Sequence, residues 1–160
     1  MTTSLQKQPI KQSWPIEKIQ EAARHFAGFI ISDKLLLLEN SPQAADPLCE
    51  QSAERKAELF KSLGVKTPMD LVRHMAEFEV NLFGAQASIS GDDNKAVLFN
   101  EKPAAWLEAK KIANMSPEQE KEMQKHHEQW LKNLAEKLGF SVEVDMAADR
   151  NSETLTFSRK

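Results

Sequence analysis

The 160-residue chain is poor in the residues that most often declare a function. It holds one cysteine, Cys49, and no tyrosine. A lone thiol excludes an internal disulfide framework and a zinc site built on cysteines. An excess of one charge is missing too: 21 Lys and Arg stand against 24 Asp and Glu, a formal charge of −3. The signs are interspersed, with seven Lys and seven Glu between Glu101 and Gly139. That balance offers no electrostatic footing for nucleic acid or an anionic membrane. The longest apolar stretch, Phe26 to Leu38, is broken by Ser32, Asp33 and Lys34, so no membrane span is expected. The first residues, MTTSLQKQPIKQSW, lack the apolar block of a signal peptide, and a cytoplasmic location is expected. There is no phosphate-binding glycine loop, nucleophile elbow, HExxH or CxxC, and the paired Glu-x-x-His motifs of a di-iron bundle are missing.

What the chain does contain is helical and strand periodicity. Its length suits one domain with a real core. Residues 1–13 are polar and aperiodic and are expected to form a flexible arm, followed by a single α+β domain over 14–160. A helix is predicted from Pro15, with Ile16, Ile19, Ala23, Phe26, Ile30 and Leu37 as its buried stripe. Phe29, Ile31, Leu35, Leu36 and Leu38 spread apolar surface around nearly the whole helix. Such breadth predicts either a central helix or a face that meets a second copy of the chain, a homodimer through the first helix. A second helix is expected over Pro47–Leu63, closed by Gly64. Together these make a helical part over 14–66.

The part from 67 to 160 reads as two αββ units. Thr67-Pro68-Met69-Asp70 is a capping box opening a third helix that ends at Gly84, and Ser116-Pro117-Glu118-Gln119 opens a fourth that ends at Gly139. After Gly84, Ala85, Ala87 and Ile89 alternate with polar residues, Gly91–Asn94 forms a turn, and Lys95–Asn100 returns with Val97 and Phe99 on the apolar side. After Gly139, Phe140, Val142 and Val144 alternate similarly, and Leu155 and Phe157 return. Paired, the two units predict a four-stranded antiparallel sheet packed on helices. Between them, Ala104–Leu107 is expected to be a helical turn tucking Trp106 against the sheet.

The histidines are the main candidates for chemistry. His74 and Glu77 share a face of the third helix, with Glu79 a little further round, and His126 and His127 lie on the fourth, with Glu122 four residues before His126. Side by side, those helices would gather His74, Glu77 and His127 as a catalytic cluster, or His74, Glu77 and His126 as metal ligands, since imidazole and carboxylate suit both zinc or iron and acid–base work near neutral pH. The competing reading makes His127 a hydrogen-bonded core residue on the stripe between Met123 and Trp130, and His25 structural. Cys49 stands near a helix start, which would favour its thiolate. Against that, an incidental buried thiol is the commoner case. Met75, Phe78, Phe99, Trp106, Met123 and Trp130 would line a pocket between helices and sheet for a small apolar or aromatic molecule, if they are not simply core. No cofactor is named by any motif.

From Met69 onward the order of features resembles the C-terminal part of the L-2-amino-thiazoline-4-carboxylic acid hydrolase-like proteins and the related 4-vinyl reductase-type ligand-binding domains. The stretches that carry the resemblance are Asn81-Leu82-Phe83-Gly84, Ala96-Val97-Leu98-Phe99 with Pro103–Ala109, and the terminal hairpin ending Leu155-Thr156-Phe157-Ser158-Arg159. Where that family carries cysteines, this chain has Lys102, Lys125-His126-His127 and Thr156-Phe157. The resemblance therefore implies the fold and a ligand pocket, and it does not transfer thiol chemistry. The expected function is a non-catalytic small-molecule-binding or accessory domain. The alternative is a small-molecule hydrolase or metal-dependent enzyme using the His/Glu cluster on the third and fourth helices.

Overall fold

A computed structural model describes residues 13–160. Ser13 apart, the expected N-terminal arm lies outside the described residues. The elements run α1 (Ile16–Asn40), a 3-10 turn (Pro42–Ala44), α2 (Ala45–Ser62), α3 (Pro68–Phe83), β1 (Gln86–Gly91), β2 (Lys95–Lys102), α4 (Ala104–Ala113), α5 (Pro117–Lys137), β3 (Phe140–Met146) and β4 (Glu153–Arg159). The expected α+β architecture is present. Four antiparallel strands lie in the order β1-β2-β4-β3, with α3 packed on β1 and β2 and α5 on β3.

Both capping boxes form. Asp70 N–H donates to Thr67 Oγ1 at 3.1 Å while Thr67 N–H donates to the Asp70 carboxylate at 3.0 Å. Ser116 and Gln119 repeat the exchange at the start of α5. These reciprocal bonds satisfy amides that would otherwise be orphaned at a helix start. The Trp106 segment is a full ten-residue helix, α4, rather than a single turn.

Two expected faces are corrected. The buried side of α1 is not the stripe Ile16–Phe26–Ile30; those three are more than half exposed. The side that packs carries Ala23, Ala27, Gly28, Ile31, Leu35 and Leu38. Small residues win because α1 and α4 cross very closely. A Cβ on Gly28 would stand 2.8 Å from Ile112 Cδ1 and 3.3 Å from the Ala109 backbone nitrogen. Large side chains cannot occupy that seam, so they turn outward.

The second correction concerns β2. Its inward residues are Ala96, Leu98 and Asn100, all buried, while Phe99 points to the other face. The pairings explain why. Ile89 opposes Leu98, which opposes Leu155, which opposes Val144. Ala96, Phe157 and Val142 form a second apolar row across the sheet. Choosing Val97 and Phe99 as the inner face would place Leu155 and Phe157 in solvent. The third row is different: Ala87, Asn100, Glu153 and Met146 lie across from one another. Polar groups thus enter an otherwise apolar face at one end of the sheet.

Candidate functional site

That polar row is the floor of a cavity of about 190 Å³. Asn100 and Glu153 come up from β2 and β4 and Met146 from β3. Glu79 projects from α3, Met123, Gln124 and His127 from α5, Ala105 and Trp106 from α4, and Ile31 and Lys34 from α1. Seven elements thus converge where the sheet ends. Trp106 Nε1 donates to the Arg150 carbonyl at 2.8 Å, and Arg150 Nε donates to Gln124 Oε1 at 3.2 Å. These bonds pin the β3–β4 loop to α4 and α5.

The electrostatics of the floor follow from burial and three neighbours. His127 Nε2 lies 3.2 Å from Glu153 Oε2. Burial alone would push the Glu153 carboxyl up, but the hydrogen bond and charge of His127, with the Asn100 side chain as a further donor, outweigh it. Glu153 is held below the ordinary carboxylate range. Glu79 has no such donor. Burial, then the negative charge of Glu153, push it up to about 7, with His127 and Lys56 opposing only through their charge. The two carboxyls are therefore driven apart, one ionised and the other gaining and losing its proton near neutrality. Because a carboxylate cannot donate, the Asn100 amide nitrogen must face Glu153. That leaves Asn100 Oδ1 buried without a hydrogen-bond partner among the described residues. The residue is only 5% exposed, and an unmet acceptor at such depth is costly unless something occupies the space beside it.

Of the histidine cluster expected from sequence, the structure places only His127 here. His74 packs against Phe60, ring centroids 6.5 Å apart, and Glu77 is exposed. His126 pairs with Glu122 at 3.2 Å on its own helix. Among the described residues no group of three or more His, Cys, Asp or Glu side chains is placed to hold a metal ion. His74, Glu77 and His126 are not gathered: His74 lies against α2, Glu77 faces solvent and His126 is held along its own helix by Glu122. His25 is half-exposed and pairs with Glu108 of α4 at 3.3 Å. Of the expected ligand-lining set, Trp106 and Met123 line the cavity. Met75 packs against the sheet core, as does Trp130, which also stacks on His127 and donates to Ser52 Oγ at 3.2 Å. Phe78 packs edge-on against Phe83, and Phe99 lies on the far face of the sheet. Glu153 was missed by sequence reasoning. Its signal was the spacing Glu153, Leu155, Phe157, which sets a carboxylate on the buried face of a strand.

Cys49 is buried, with its Sγ accepting from Asn133 Nδ2 at 3.7 Å. Burial pushes its thiol up, more than nearby Lys34 and Asn133 bring it down, so the expected thiolate-favouring helix start does not prevail. Native protein should react with a thiol reagent at least about 100-fold more slowly than a small free thiol at pH 8. Reaction at the free-thiol rate would show Cys49 to be accessible.

No known family and no curated protein matches the sequence. Among solved structures, an H-NOX protein mutant from K. algicida in its Fe(II) unliganded form aligns over 88% of this chain with 8% identity and a TM-score of 0.34. This chain spans 63% of that structure's length. No helix among the described residues is long and apolar enough to cross a membrane.

Proposed function

We propose that the protein is a non-catalytic small-molecule-binding domain whose site is the cavity at the end of the sheet. The observation that carries this is the partnerless, buried Oδ1 of Asn100, a residue that lines a space of about 190 Å³ with apolar side chains making up half of its wall. An engineered cavity of about 150 Å³ lined by aliphatic residues takes benzene, so the volume suits one ring with a short arm. The resemblance to the hydrolase-like and 4-vinyl reductase-type domains is carried into this proposal for the pocket alone. In thermal-shift assays, single-ring compounds at about 100 times their Kd should raise the melting temperature by roughly 5–10 °C. Ala105→Leu, which extends a branched side chain into the cavity, should lose that shift while keeping its circular dichroism. A broad panel that leaves the melting temperature unmoved would contradict the proposal.

A second reading has an observation of its own. One ionised and one near-neutral carboxyl, with an imidazole between solvent and site, is an arrangement suited to acid–base catalysis. On that reading Glu79 is the proton donor or acceptor and His127 holds Glu153. It replaces the cluster on His74 and Glu77 and keeps the hydrolase-like alternative in metal-independent form. Turnover that falls with Glu79→Gln would favour it.

The proposal includes a homodimer through α1. Trp14, Ile16, Phe26, Phe29, Ile30 and Leu36 are each more than half exposed, an apolar surface larger than a small monomer needs. Phe29→Ser with Leu36→Ser should convert a dimer to monomer in sedimentation velocity. A species unchanged by both substitutions would retire this interface.

A further inference from the structure

We infer that the occupant of the cavity is an amine, a body of about one ring carrying a protonated nitrogen seated among Glu79, Glu153 and Asn100 Oδ1. This rests on the ligand-binding reading above and adds the ligand's chemical class.

The argument is an inventory of donors and acceptors. At the floor stand two carboxyl groups and one amide oxygen. The donors near them are few: His127 Nε2 and the Asn100 amide both serve Glu153, and a protonated Glu79 offers a single O–H, which a bound ammonium would replace. Glu79 receives no hydrogen bond from them, and Asn100 Oδ1 has no partner. What the floor lacks is a group that donates in several directions at once. A primary ammonium has three N–H donors and no acceptor. An alcohol donates only once, and a carboxylate would meet Glu153 with like charge.

Charge points the same way. The titratable groups facing the cavity are Lys34 from α1, Glu79 from α3, His127 from α5 and Glu153 from β4. Lys56 of α2 acts on Glu79 through its charge. The charge acting on Lys34 is that of Cys49, on α2, and Lys34 is not among the charges acting on Glu79 or Glu153. Lys34 forms no ion pair within 4.0 Å with either acid among the described residues, so its ammonium does not answer them. A ligand cation between them would offset the burial and the repulsion that together keep Glu79 protonated. Binding then releases the Glu79 proton to solvent, and affinity rises with pH from 6 to 8.

Benzylamine, benzyl alcohol and benzoate differ only in the group offered to the floor. Calorimetric titration of the full chain at pH 6 and pH 8 should give benzylamine at least about 10-fold tighter binding than benzyl alcohol, the effect of one charge-assisted hydrogen bond, and no binding of benzoate. Near pH 6.5 the heat of benzylamine binding should vary with the ionisation enthalpy of the buffer, marking the released proton. Glu79→Gln and Glu153→Gln should each erase the preference for the amine while retaining benzyl alcohol. Alcohol or benzoate binding as tightly as the amine would overturn the inference and leave the cavity reading standing. Amine binding indifferent to both substitutions would overturn it as well. If none of the three binds, the cavity reading falls and this inference with it.

Discussion

Glu79→Gln is expected to raise the melting temperature by roughly 5–10 °C at pH 8 and to leave it unchanged at pH 4. In the folded chain Glu79 is pushed to about 7 from an ordinary value of 4.5. Below that ordinary value both folded and unfolded states carry the proton, and the group has no effect on stability. Between the two values the unfolded chain ionises and the folded chain resists, so stability falls as pH rises. Above about 7 the loss is complete and amounts to as much as roughly 3 kcal/mol. A neutral amide of the same shape avoids the loss. No side-chain hydrogen bond is sacrificed, because His127 and Lys56 act on Glu79 only through their charge. Thermal melts of both proteins from pH 4 to 8 check this. An equal gain at every pH, or none at pH 8, would mean that the Glu79 carboxyl is not confined beside Glu153.

Leu98→Ala should cost about 2–5 kcal/mol, against under about 1 kcal/mol for Phe99→Ala. Leu98 is 1% exposed in the middle of the apolar row, and Phe99 is 37% exposed on the outer face. By size alone the phenylalanine would be the more damaging loss, so the order of the two effects is diagnostic. Urea unfolding of both variants measures it. A larger cost for Phe99→Ala would mean that β2 pairs one residue out of register.

The same strand shows how far the fold was legible in the sequence. Capping boxes, glycine stops and hairpin alternation were readable because each is set by residues within a few positions of one another. Those local signals placed the starts of α3 and α5 and implied the four-stranded sheet, while α4, which has no side-chain cap, was read as a single turn. Ala96-Val97-Leu98-Phe99 carries no alternation, so nothing local says which side is inward. The answer comes from Leu155 and Phe157 on the partner strand. Helix α1 failed similarly: Phe26, Phe29, Ile30 and Leu36 outweigh Ala27 and Gly28 in any pattern count, yet closeness to α4 turns them outward.

The candidate site was half legible for a related reason. His127, Met123 and Trp106 were singled out as residue types and are at the cavity. Glu79 was noted beside His74 and Glu77 without a role. Its role exists only because β4 brings Glu153 up against it, from 74 residues away in the chain. Hydrogen bonds such as that from Trp106 to the Arg150 carbonyl depend on a loop geometry that composition does not encode.

The central claim, that a small molecule occupies the space at the sheet's end, is tested most directly by methyl NMR of protein labelled at methionine. Met123 and Met146 line the cavity, whereas Met69 and Met75 pack against the core of the sheet. On titration with benzylamine, ring-current shifts should move the Met123 and Met146 methyls saturably and leave those of Met69 and Met75 in place. Still Met123 and Met146 signals under saturating ligand, or equal drift of all four, would contradict a site in this cavity.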